Sequence, residues 1–227
     1  MPRQPRKGIC VYCRTEGPIT SDHVPPKCLF PPDDRVNLIT VPACNSCHES
    51  YKLDDEYFRV ALSMRADLPE GPETHFLRDQ TRKTLSNPKA ATFRQAIEST
   101  LTKLPLHSPG GIYLGEASAL QIDASRIQRM ARRIVYGLYG KFFRFPLPHG
   151  YDLDVTLMDL QRDDSALVRP EVQEVLSLLG RHGMHKRFGK VLDIWCLKTD
   201  DDANSSVWAL SLHSAFGFLA YTVPSDA

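Results

Sequence analysis

Apolar positions along this chain change rhythm from segment to segment, and each rhythm predicts an element. Residues 37–41, Asn-Leu-Ile-Thr-Val, read as a short strand. Residues 45–64 read as a helix, with a break allowed near Leu53. Residues 73–103 read as two helices: Asn87-Pro88 supplies a cap and a first-turn proline, and Phe93, Ile97 and Leu101 recur at four-residue spacing. A Pro/Gly-rich stretch, 104–115, reads as a boundary, followed by a short strand at 120–123. A helix then starts near Ser125, gathering Ile127, Met130, Ala131, Ile134 and Leu138 on one side. The tail alternates in the β manner: 191–197, 207–212 and 216–223 predict an antiparallel meander, with 198–205 as a polar turn.

This order of elements predicts an α+β protein in three parts. A small cysteine-stapled module occupies residues 1–66, a helical connector 67–110 and a C-terminal α+β unit 111–227. Between the first elements stand Pro18, Pro25, Pro26, Pro31, Pro32 and Pro42, a density that forbids a long helix there.

Composition narrows the class. Of 227 residues, 42% are hydrophobic and 24% charged, which excludes wholesale disorder. No apolar run reaches the ~18 residues of a membrane span, so no membrane association is expected. The start, MPRQPRKG, lacks an apolar core for a secretory leader, and a cytoplasmic location is expected. A formal charge of +1 argues against a broad basic surface, but the average conceals polarity. Segment 124–151 holds six basic residues and no acidic one, leaving 22 basic against 27 acidic elsewhere.

Four of the six cysteines form two close pairs, Cys10-x2-Cys13 and Cys44-x2-Cys47. Two intervening residues let one knuckle place both sulfurs on one ion, and two knuckles complete a tetrahedral shell. A structural Zn²⁺ is the expected ligand. Mononuclear iron is the competing reading, but its knuckles favour a Gly after the second cysteine, where Arg14 and His48 stand. Cys196 reads as a core residue in a strand, and Cys28 as an unneeded extra ligand.

Taken singly, Asp22-His23 before prolines reads as a turn, Asn37 as a strand-entry residue and His48 as an exposed first-turn histidine. Together, in this order between two cysteine pairs, they carry a family pattern: Cys10-Val-Tyr-Cys13, Asp22-His23, Asn37-Leu38, Cys44-Asn-Ser-Cys47-His48 and Lys52. This run, residues 8–58, resembles the HNH endonucleases, the ββα-metal nucleases. The resemblance implies a ββα-metal module that hydrolyses DNA phosphodiesters. Its catalytic set would be His23 as general base, Asn37 orienting it, and Asp22 with His48 holding a catalytic divalent ion such as Mg²⁺ or Mn²⁺. Asn is frequent in the family where His48 stands, which leaves the preferred ion open.

The remainder offers candidate DNA contacts. Arg126, Arg129 and Arg133 fall largely outside the apolar stripe of their helix, and Lys52 lies beside the family motif. Tyr136, Tyr139, Phe142 and Phe143 interleave with this basic strip and are candidates for base stacking if exposed. A second basic cluster, Arg181, His182, His185, Lys186, Arg187 and Lys190, reads as a polar loop, and Asp200-Asp201-Asp202 as a hairpin loop. DNA is the expected partner, with room for a targeting protein. The competing function is a non-catalytic zinc module that binds nucleic acid. A zinc-stapled protein-interaction domain would need neither the basic strip nor the Asp-His pair.

Overall fold

The computed structural model describes residues 6–160 and 169–225. The chain opens with β1 (Arg6–Ile9), β2 (Glu16–Val24) and β3 (Ile39–Ala43), an antiparallel sheet in the order β1-β2-β3. Asp22-His23 therefore lies on a strand, not in a turn; alternation sends Asp22 to the buried side with Val24, while His23 is only half-buried. The strand containing 37–41 starts two residues later than expected. Helix α1 (Asn45–Ser63) follows without a break, and Leu53 simply projects outward at 66% exposure.

Helices α2 (Pro72–Ser86) and α3 (Ala91–Glu98) match the two expected helices, and the Asn87 side chain accepts a hydrogen bond from the Lys89 backbone N–H at 3.0 Å. The second helix ends at Glu98, short of the expected 103. Residues 101 onward form β4 (Leu101–His107), which pairs with β5 (Tyr113–Leu120) in a two-stranded hairpin. The boundary expected at 104–115 is thus strand and turn. Both faces of this hairpin are largely exposed, so burial never imprinted a clear alternation on it. Residues 121–123 are not a strand: Asp123 caps the next helix, accepting from the Ser125 and Arg126 backbone N–H groups.

That helix, α4 (Ala124–Phe143), is the organising element. It packs against α1, β2 and β3 on one side and against β6 (Tyr151–Asp159) and β10 (Phe216–Pro224) on the other. The five expected stripe residues, Ile127 through Leu138, are all buried. The meander is present as β8 (Leu192–Lys198), β9 (Ser206–Leu212) and β10, flanked by β6 and β7 (Met184–Phe188) in a five-stranded antiparallel sheet, order β6-β10-β9-β8-β7. Its two faces follow the period of two. Trp208, Leu210, Leu212, Phe218 and Ala220 join the main core. Ala209 and Leu219 face the other way, toward α5 (Pro170–His182) through Leu179. Part of the expected basic loop, 181–190, is the end of α5 and the edge strand β7. The main core runs from Val11 to Ala220 as one cluster. Among the described residues, no helix is long and apolar enough to cross a membrane.

Candidate active site

The two cysteine pairs meet because two local structures present them to the same point. The first knuckle is a turn after β1, closed by Arg14 N–H to Cys10 O at 2.8 Å, with Arg14 left-handed at φ 62°. An arginine thus takes the backbone conformation for which glycine is the usual choice. The second knuckle is the first turn of α1, with Cys44 as N-cap and His48 N–H donating to Cys44 O at 3.0 Å. The four sulfurs lie within 4.8 Å of one another and can hold a metal ion. Cys44 is drawn down to about 6 by the Ser46 hydroxyl and the Cys47 backbone amide, which favours its thiolate. Burial pushes Cys10 and Cys47 upward, so these protons must leave when a metal binds. Cys28 is apart from this cluster, its thiol facing the Asp55 carbonyl and pushed up to about 12 by burial. Cys196 is a buried strand residue, as expected.

Because the second knuckle is also a helix start, it sets where His48 points. His48 Nδ1 lies 3.5 Å from the Thr20 hydroxyl and Nε2 lies 3.7 Å from Asp22 Oδ1. Asp22, His23 and His48 line one cavity of about 450 Å³ with Lys27, Lys52 and Glu56. Burial, then the neighbouring Lys27 charge, holds His23 below its ordinary value and so favours the uncharged ring.

No protein-family model, curated protein or solved structure matches this chain.

Asp22 is 3% exposed and heavily partnered. The Tyr12 hydroxyl donates to Oδ2 at 2.6 Å, and Arg133 Nη2 donates to Oδ1 at 2.8 Å and Oδ2 at 2.7 Å. Arg133 also binds the Asp55 carboxylate, and its guanidinium lies 4.8 Å from the Tyr51 ring centroid. Burial pushes the Asp55 carboxyl up to about 7 against the opposing pull of Arg133. Arg133 was expected on the DNA-facing strip; at 1% exposure it reaches no polyanion. The reason is that α4 is covered on two sides, so its second buried face carries a paired charge instead of an apolar stripe.

The other expected contacts are more exposed but not free. Arg126 donates to Asp54 Oδ1 at 2.8 Å and Arg129 to Oδ2 at 2.6 Å, so the buried Asp54 draws on both charges. The Arg129 side chain is still 58% exposed, and Lys52, at 55%, pairs with Glu49 on the cavity rim. Phe142 and Phe143 pack on Trp208, and Tyr139 is fully buried, so these rings stack inside the fold and not on bases. In the second basic cluster, His185 and Arg187 both bind Asp193. Asp202 accepts from Asn204 N–H, Ser205 Oγ and Tyr151 Oη, which closes the expected hairpin loop.

Asn37 stands apart from the His23 cavity. It is exposed in the turn before β3 and lines a separate recess with Lys141 and Lys186. The residue opposite His23 across the ladder is Thr40. Sequence order alone cannot distinguish these two. Tyr12 and Asp55 carry no spacing signal that marks them as partners of this site. Thr20, two residues before Asp22 on the same face of β2, was within reach of the alternation rule.

Proposed function

We propose that this chain is a metal-dependent endonuclease of the HNH type, with a structural zinc on Cys10, Cys13, Cys44 and Cys47 and DNA as substrate. The observation that carries the reading is the approach of Asp22 Oδ1 to His48 Nε2, 3.7 Å, in one cavity with His23. Two bonds of ~2.1 Å to one ion span more than that gap, so the pair can share a divalent cation. An oxygen and an imidazole nitrogen suit Mg²⁺, Mn²⁺ or another first-row ion.

When bound, such a cation supplies Lewis-acid stabilisation of charge on the phosphoryl oxygens. The chain's own residues supply the rest. His23, whose uncharged form burial favours, accepts the proton of the attacking water on its imidazole. Lys27 and Lys52 on the cavity wall attract the phosphodiester. Cleavage of the P–O bond releases one phosphate-ended and one hydroxyl-ended strand.

The second reading is a zinc module that binds nucleic acid without cutting it. The position of Asn37, away from His23, favours it. One assay separates the two. Purified protein is incubated with supercoiled plasmid and Mg²⁺, Mn²⁺ or Ni²⁺, against a chelator control. Nicking that requires the added ion supports the nuclease. Binding without nicking under every ion supports the zinc module.

A further inference from the structure

Arg133 reaches Asp22 from 111 residues away, out of a helix that belongs to no part of the nuclease-like motif. One guanidinium nitrogen bridges both Asp22 oxygens, and the side chains are 1% and 4% exposed. The Tyr12 hydroxyl takes the remaining side of Oδ2. A carboxylate accepts about four hydrogen bonds, so Oδ1 keeps an unfilled direction, and His48 Nε2 stands 3.7 Å from it. We propose that Arg133, assisted by Tyr12, is the positioning residue that orients Asp22 toward His48 for cation binding. The candidate metal site is then completed by α4, and residues 8–58 do not suffice for it. This inference rests on the nuclease reading above.

Three features show that the arrangement is built and rigid. Tyr12 lies inside the first cysteine knuckle, so a metal on the four sulfurs also anchors the hydroxyl that binds Asp22. The α4 backbone lies hard against the module: a Cβ at Gly137 would come within 2.5 Å of Val24 and one at Gly140 within 2.2 Å of Val11. The guanidinium packs against the edge-to-face pair Tyr12–Tyr51, with ring centroids at 5.9 and 4.8 Å. Lysine cannot reproduce the geometry, since an ammonium is a point charge on a flexible stem and not a planar fork.

The experiment measures Mn²⁺ affinity of the zinc-loaded, full-length chain by calorimetry, below each variant's melting temperature and with zinc stoichiometry checked. Partners that orient a metal ligand typically change affinity about 10–100-fold, so Arg133→Lys is expected to weaken Mn²⁺ binding by that factor with zinc retained. Tyr12→Phe keeps the ring, removes one hydrogen bond and is expected to weaken it several-fold; it decides alone should Arg133→Lys fail to fold. Unchanged or tighter Mn²⁺ binding in the folded variant overturns the positioning role while leaving the nuclease reading intact. Wild-type protein that binds no Mn²⁺, or binds it equally well as Asp22→Asn and His48→Ala, removes the nuclease reading and this inference together.

Discussion

Gly140 of α4 lies directly over Val11 of the first cysteine knuckle, so close that a Cβ at position 140 would fall 2.2 Å from Val11 Cγ2. One helical turn earlier Gly137 meets Val24, the neighbour of His23, in the same way. These two glycines let the backbone of α4 touch both the knuckle and β2. Alanine would normally gain about 0.8–1 kcal/mol in a helix interior, but overpacking of a closed contact costs about 1–3 kcal/mol. Gly140→Ala is expected to lower the denaturant midpoint and hasten metal loss to a chelator. Gly180, also helical but with nothing within 4 Å, is the control: Gly180→Ala should be neutral or stabilising.

The cysteine cluster predicts one tightly held metal ion per chain. Cys47→Ser should abolish that stoichiometry and destabilise the N-terminal sheet, because metal binding by such a cluster is itself folding free energy, on the order of 10 kcal/mol. Cys196→Ser, in the other sheet, should retain one ion. Elemental analysis of the two purified variants decides it. Equal metal content in both would remove the cluster as the binding site.

His213 predicts a pH effect on stability. It is 4% exposed, its Nε2 has no hydrogen-bond partner, and burial holds the ring down to about 4. The unfolded chain takes up this proton below pH 6.5, the folded chain only near pH 4. Between those values the unfolded state binds more protons, so stability falls as pH falls, by up to about 3 kcal/mol. Asn tolerates the left-handed φ of 50° and does not titrate, so His213→Asn should flatten that decline in urea denaturation at stepped pH. A wild-type slope in the variant would assign the decline to other groups.

Loss of a general base costs about 10²–10⁴-fold in rate. His23→Ala should therefore lose metal-dependent nicking to that extent while keeping its zinc and its melting temperature. Asn37→Ala is expected to cost far less than His23→Ala in the same nicking assay, since Asn37 lies outside the cavity. Full cleavage by the His23 variant would end the assignment of that residue.

Much of this site was readable in one dimension. The cysteine spacing, the α4 stripe and the three meander strands follow from local rules, in which two residues between cysteines or a period of 3.6 or 2 already implies geometry. Arg133 was not readable. A period of 3.6 tells which side of a helix is apolar, but not that a second side will be covered by α1 and β2 and neutralised by Asp22 and Asp55. The hairpin β4–β5 was hidden because its exposed faces carry no burial pattern. Asn37 falls outside the cavity because order along the chain does not specify the register of β2 against β3, which sets Thr40 opposite His23. The sequence by itself determined where cysteines and apolar faces fall, since these depend on neighbours a few residues apart. Only the tertiary structure decided which charges are buried and which side chains share a cavity. Those depend on contacts such as Asp22 to Arg133, between residues more than a hundred positions apart.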